Sequence, residues 1–336
     1  MMRPASALWA VCLLVLGGCT SSSHTTLSMA DMNIVAKDQR FALVRLQPGQ
    51  DLADLATVFL GDRQNAWQLS ELNPGSSTKP GEIVAVPLVP VNPGSVYTDG
   101  YRTLPMLCYH QFTRNKNIEH RLELRAHDFE KQIRYLLDNH YQLLSFAEVG
   151  EIMAAGRAIP PKAVVITIDD GYGSVYDVAW PILKKYQAKA TLFVYTDFIG
   201  AGKALTWSEM QEMAASGLIE IQSHGKSHSS LSKLPDDQSE SSYVARLQRE
   251  LAGSEAEFTK RMGSPPVFLS YPYGNSSVTA ARLLKTGGYQ LAATVTRGDN
   301  TSFSDPYLLH RSMIYGDKDL NHFVRGLRTF RRKPLQ

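Results

Sequence analysis

Between Leu104 and Phe330, short apolar runs alternate with segments of helical periodicity, and this alternation leaves few architectures open. The strand-like runs are 106–109, 142–145, 163–168, 190–195, 219–223, 267–271, 291–296 and 310–314. The helix-like segments between them include 128–139, 175–186, 208–215, 242–261 and 278–286. Strands regularly separated by helices make a parallel sheet, and this number of repeats suits a distorted (β/α) barrel. An open doubly wound sheet is the alternative, although no Gly-x-Gly-x-x-Gly or phosphate-loop pattern supports a nucleotide-binding version. Hydrophobic residues make up 43% of the 336-residue chain, enough for a sizeable core.

The unusual polar residues collect after these runs. His110 follows the first, Asp169 and Asp170 follow the third, and His224 and His228 follow the fifth. Tyr271 and Tyr273 close the sixth. In a parallel barrel the C-terminal strand ends converge on one face, so these distant residues can meet. Two adjacent carboxylates at the end of a buried strand are costly unless a cation or hydrogen bonds compensate. Two imidazoles four residues apart can share one ion. Together with one carboxylate they form a three-ligand site with open positions, as hydrolytic zinc requires. The three cysteines, Cys12, Cys19 and Cys108, are too few for an all-thiolate zinc site or a disulfide scaffold.

Charge argues against a nucleic-acid partner. The net charge is +3, and Arg325, Arg328, Arg331, Arg332 and Lys333 stand together near the C-terminus; subtracting those five leaves −2. A solvated basic tail is the simplest reading, with contact to anionic lipid or polymer the alternative.

Thr167-Ile168-Asp169-Asp170-Gly171 and Ser223-His224-x-x-x-His228 resemble the first two motifs of the NodB-type polysaccharide deacetylases, carbohydrate esterase family four. The likeness spans roughly residues 104–325. It implies that Asp170, His224 and His228 hold a divalent metal, by default zinc, and that Asp169 is the general base. The ion would polarise an acetamide carbonyl and acidify water, and an acid would protonate the departing amine. Two departures stand out. The family's third motif begins with an Arg, but here the segment reads Ser270-Tyr271-Pro272-Tyr273-Gly274. Arg297 or Arg311 could replace that Arg. The acid is expected near the C-terminus, where His310 lies. However, Leu107-Cys108-Tyr109-His110 resembles the subgroup acting on poly-β-1,6-N-acetylglucosamine, in which strand order is permuted and such a Tyr-His segment carries the acid. His110 is therefore favoured over His310. Tyr271 and Tyr273 are candidates for substrate or oxyanion contact. A Cys108–His110 nucleophilic pair is the competing use of the first strand, and simple packing of Cys108 is the default.

Ahead of this domain, residues 41–88 read as strand, two short helices and strand, a βααβ order that resembles a LysM domain. Its matching features are Pro48-Gly49, Asn73-Pro74 and Pro80-Gly81-Glu82-Ile83-x-x-Val86-Pro87, and the resemblance implies binding to N-acetylglucosamine-containing glycan. A spacer that no longer binds sugar is the alternative. Residues 89–103 read as a linker. At the N-terminus, Arg3 and an apolar run end in Leu16-Gly17-Gly18-Cys19, which resembles a bacterial lipobox. This implies that a signal peptide, 1–18, is removed, that Cys19 is lipidated, and that 19–40 forms a tether. Thr20 and Ser21 after the cysteine imply sorting to the outer membrane. The expected protein is a lipid-anchored envelope enzyme removing acetyl groups from an N-acetylglucosamine polysaccharide. The alternatives are an impaired glycan-binding lipoprotein and a metal-dependent amidase or esterase. The sequence leaves any protein partner open.

Overall fold

The computed structural model describes residues 28–89 and 91–333. The lipobox, Cys19 and the signal segment lie outside the described residues.

Eight strands form one parallel sheet: β1 (Met106–Tyr109), β2 (Gln142–Leu144), β3 (Ala163–Asp170), β4 (Ala190–Val194), β5 (Ile219–Ser223), β6 (Phe268–Ser270), β7 (Leu291–Ala293) and β8 (Ser312–Met313). The order is β7-β6-β5-β4-β3-β1-β8. β2 pairs with the first half of β3 on the edge opposite β1, below β4. The sheet curls, and its edges approach at a single parallel bridge between Ala293 and Leu309. The result is an incompletely closed barrel, not an open doubly wound sheet.

Seven of the eight residues of β3 are buried, as expected of a parallel strand covered on both faces. Its period of two divides the core. Val164, Ile166 and Ile168 face the helices, while Ala163 and Val165 pack inside the barrel with Met106, Phe193, Phe268 and Leu309. Thr167 and Asp169 continue that inner row towards the C-terminal mouth.

The helices follow from their apolar stripes. α1 (Ala126–Asp138) buries Phe129, Gln132, Ile133 and Leu136, one face at helical spacing. α2 (Phe146–Ala154) starts at a capping box of Ser145 and Glu148. The expected helix over 175–186 is divided: Val175–Ala179 is wound as a π-turn and α3 (Trp180–Lys185) continues from it. Pro181 lacks an N–H and cannot maintain a regular ladder there. α4 (Trp207–Ala215) and α6 (Val278–Thr286) flank α5 (Glu240–Met262) in the chain. α5 runs from its Ser239 cap to Gly263 at φ 85 and buries Tyr243, Leu247, Leu251, Ser254 and Phe258.

The small N-terminal unit holds one strand more than expected. Asn33–Lys37 pairs antiparallel with Phe41–Arg45, which also pairs with Ile83–Pro87. Helices Leu52–Leu60 and Ala66–Leu72 pack on this sheet around Leu55, Leu69, Val84 and Val86. The tether expected over 19–40 is therefore partly structured, and Met32 already belongs to the unit's core. Asn73 ties the second helix to the last strand: its amide donates to the carbonyls of Leu69 and Ala85 and accepts from the Ala85 N–H. The expected linker is also ordered, since Val96–Tyr97 and Gly100–Arg102 form a small sheet with Phe330–Arg332.

Candidate active site

β1, β3, β5 and β6 deliver their C-terminal residues to one mouth. Asp170 ends β3, and His224 and His228 follow β5. One oxygen of Asp170 lies 3.5 Å from His224 Nε2 and 3.4 Å from His228 Nε2. Ligands held tetrahedrally at about 2.0–2.1 Å from one ion stand about 3.3 Å apart, so this spacing fits a shared cation. The tautomer fits too. His224 Nδ1 lies 2.7 Å from the Ser270 carbonyl, which can only accept, so Nδ1 carries a proton and Nε2 is the nitrogen turned to the ion site. Burial works to lower the His224 pKa, but Asp169 and Asp170 outweigh it, so a cation would compete with a proton for Nε2. Burial lowers the pKa of His228, helped by the neighbouring His224, which keeps its imidazole neutral. The donor set of two nitrogens and one carboxylate oxygen therefore suits a divalent metal.

Asp169 is fully enclosed beside this triad, and Arg311 binds it. The guanidinium donates to both carboxylate oxygens, from Nη1 to Oδ1 and from Nη2 to Oδ2, each at 2.7 Å. Its other N–H groups reach Thr167 Oγ1 at 2.9 Å, Ser270 Oγ at 2.6 Å and the Thr294 carbonyl at 2.9 Å. All of its donors are thus satisfied within the barrel, although its side chain is 0% exposed. Ser270, standing where the family's motif has Arg, also donates to Asp169 Oδ2 at 3.0 Å. Arg311 precedes β8, level with the base of β1, and its length carries the charge up the barrel interior past the Phe193 ring. Burial works to raise the Asp169 pKa, but Arg311 and then His224 outweigh it and hold the group well below the usual carboxylate range. The same pairing raises Arg311 against the opposing effect of burial.

His110, after β1, is buried, and its ring lies close to Asp169 and Cys108. Its Nδ1 has no hydrogen-bond partner among the described residues. Burial lowers its pKa, against the pull of Asp169 and Asp170, so the ring is neutral at rest. Cys108 Sγ sits 3.5 Å from Asp169 Oδ2, and burial pushes its thiol well above its ordinary pKa. It therefore stays protonated, and a Cys108–His110 nucleophilic pair has no thiolate to work with. Cys108, His110 and Asp169 also cluster closely enough for a metal. Arg311 already occupies both oxygens of that carboxylate, so the group does not suit a cation.

Three sequence candidates fall elsewhere. Tyr271 is fully buried among Leu231, Tyr243, Leu284 and Tyr289, so its side chain cannot meet substrate. His310 faces away from the mouth and places Nδ1 3.2 Å from the Thr296 carbonyl. Adjacent residues of an extended segment face opposite sides, so Arg311 turned inward puts His310 outside. Arg297 is exposed and lines a separate cavity with Ile314, Tyr315 and His322. Tyr273 does reach the mouth. It is 65% exposed, has φ 59, and its ring centroid lies 4.5 Å from that of His228. Tyr195, which the sequence reading passed over, also neighbours His228, with ring centroids 4.9 Å apart, and stacks on Phe198 at 5.1 Å. Burial, with Asp170 nearby, pushes the Tyr195 hydroxyl up to about 12. Its position after β4 was the available signal.

A curled parallel barrel with a carboxylate, a paired guanidinium and a metal-ready triad at its mouth defines a hydrolase of the deacetylase class. Residues 156–292 match the polysaccharide deacetylase family model. The chain is 32% identical to YxkH of Bacillus subtilis, assigned to the polysaccharide deacetylases, over 65% of this chain and 74% of that one. It is 26% identical to a poly-β-1,6-N-acetyl-D-glucosamine N-deacetylase of Staphylococcus aureus, over 66% and 77% of the respective chains. The solved Streptococcus pyogenes deacetylase PplD, in complex with acetate, is 25% identical, superposes with a TM-score of 0.59, and covers 67% of this chain and 98% of its own. The chain belongs to the polysaccharide deacetylase family and is a deacetylase hydrolase.

Proposed function

We propose that this protein is a metal-dependent N-deacetylase of an N-acetylglucosamine polymer at the bacterial envelope, held to the outer membrane through lipid on Cys19. The observation that carries the catalytic reading is the buried Asp169–Arg311 pair beside the Asp170, His224 and His228 triad. The absence of Arg from the third motif motivates the alternative of an impaired glycan-binding protein. Arg311 supplies the missing charge from the segment before β8 and removes that motive. Poly-β-1,6-N-acetylglucosamine is the preferred substrate, supported by the Staphylococcus aureus relative and by the Tyr109-His110 segment.

Asp170, His224 and His228 would hold the ion, most simply zinc, which supplies Lewis acidity towards an acetamide carbonyl and acidifies water. Asp169, kept ionised by Arg311, accepts the proton of the attacking water. His110, neutral at rest and enclosed, is suited to gain a proton and pass it to the leaving amine. Tyr195 and Tyr273 flank the ligands and can stack on the apolar face of a sugar ring. The LysM-like unit is read as a second glycan contact.

Acetate release from poly-β-1,6-N-acetylglucosamine, peptidoglycan and chitin oligomers, with metal content measured in parallel, tests this proposal. Acetate should come from the first substrate and stop on chelation. Asp169→Asn should keep the metal and lose turnover, whereas His224→Ala should lose both. His110→Ala should keep the metal and lose roughly 10²–10⁴-fold in turnover. A metal-loaded protein that frees no acetate from any of the three would refute the enzyme reading. Cys19→Ala should release the protein from the membrane fraction.

A further inference from the structure

The loop carrying the two histidines is sharply bent: Gly225 has φ 86 and His228 has φ 62. Positive φ at a non-glycine residue is strained and persists only where surroundings impose it. Those surroundings are visible. The backbone N–H groups of Lys226 and Ser227 both donate to Glu250 Oε2, at 3.1 and 3.0 Å. The Ser227 hydroxyl donates to the other oxygen of the same carboxylate. Successive N–H groups aimed into one concavity form an anion-binding nest, and here a side chain fills it. From the other side, Thr196 and Asp197 donate backbone N–H groups to the Gly225 and Lys226 carbonyls at 3.3 and 2.9 Å.

Glu250 does not act alone on its helix. Glu250, Gly253 and Ser254 stand at i, i+3 and i+4, one face of α5. A Cβ at Gly253 would lie 2.5 Å from Lys226 Cδ, so glycine lets the helix meet the loop. Ser254 Oγ lies 2.8 Å from Ser223 Oγ, which accepts the Gly225 N–H at 3.0 Å. This face is fitted to the segment from Ser223 to His228.

We propose that Glu250 is a positioning residue for the metal centre: its carboxylate locks the Lys226–Ser227 backbone and thereby holds His228 Nε2 against Asp170. The proposal rests on the metal-dependent reading above. Glu250 hydrogen-bonds Lys226 and Ser227 and none of Asp170, His224 and His228, so its effect falls on metal affinity before it falls on chemistry.

Competitive zinc titration of the full chain against a chromophoric chelator tests this, with glycan kinetics and apo-protein melting alongside. Glu250→Ala should weaken zinc binding by roughly 10–100-fold, the range for outer-shell partners of ligating histidines. At saturating zinc its kcat should return and its KM should be unchanged. Glu250→Gln should stay close to the parent, because one amide oxygen accepts both N–H groups and the amide NH₂ donates to the Ser227 hydroxyl. Unaltered zinc affinity in Glu250→Ala, or equal losses in the Ala and Gln variants, overturns the proposal. Should Glu250→Ala fail to fold, Ser227→Ala decides: weaker zinc binding at an unchanged apo melting temperature supports it, and unchanged binding overturns it. If the parent chain takes up no zinc, the metal reading itself falls, and the role of Glu250 falls with it.

Discussion

Arg311 shows how one side chain reconciles two burial problems. A guanidinium and a carboxylate are each expensive inside a barrel, and they are tolerable here because every donor and both carboxylate oxygens are matched. Removing one partner leaves the other charge buried alone. Arg311→Ala should cost about 3–5 kcal/mol in denaturant unfolding and abolish turnover. Arg311→Lys keeps the charge but loses the planar fork; it should retain zinc uptake and still lose most activity. A lysine variant with full turnover would show that the fork is dispensable. Sequence reading offered Arg311, Arg297 and His310 together, because Arg297 follows the run 291–296 and His310 and Arg311 open the run 310–314. Separating them needed the register of β8, which decides which residue of 310–311 turns inward. Tyr271 failed for a related reason. It continues β6 into the core, and the Pro272–Gly274 turn is what brings Tyr273 to the mouth.

The elements were legible where hydrophobicity changes abruptly. The apolar run of β3 stops at Ile168, two residues before the strand ends at Asp170, and β5 ends at the Ser223-His224 junction, where an alternating strand meets a group that needs partners. Asn33–Lys37 left no such mark: most of the strand is exposed, so neither alternation nor an apolar run announces it. The first half of β3 pairs with β2 on the edge where β4 pairs with its second half, a sharing that no local pattern encodes. Glu220 on β5 illustrates a cost paid inside an element. Its carboxylate accepts from Thr191 Oγ1 at 2.9 Å and from the Phe146 N–H at the start of α2 at 3.1 Å. Burial nonetheless raises its pKa. A folded-state pKa above the unfolded value gives a contribution that is full at low pH and lost as pH rises through the folded pKa. Glu220→Gln keeps an acceptor oxygen and removes that loss. The variant's melting temperature should rise relative to the parent as pH climbs above about 4.3, the ordinary Glu value, and level off above the raised pKa. Calorimetry between acid and neutral pH checks this, and a constant gap would show that charge is not the cause.

Across the molecule, the small unit meets the barrel at its base, opposite the catalytic mouth. Arg102, from the segment expected to be a free linker, pairs with Glu71 of the small unit and lies 4.8 Å from the Trp67 ring and 5.2 Å from the Tyr97 ring. It also donates to the Ile159 carbonyl at 3.0 Å, just before β3. Burial draws its pKa down to about 10, still far above neutrality, so the cation persists. Arg102→Ala should separate the melting of the small unit from that of the barrel and expose the 88–100 segment to protease. Calorimetry and limited proteolysis read both effects, and an unchanged single transition would assign the junction to other contacts.

The Asp169–Arg311 pair also sets a clock. The two residues are 142 positions apart, so at about 5–20 residues per second the carboxylate waits roughly 7–28 s in a growing chain for its counter-charge. Until that last strand is made, the barrel has no inexpensive way to close around Asp169. The barrel interior around Asp169 can therefore be completed only after Arg311 has been synthesised.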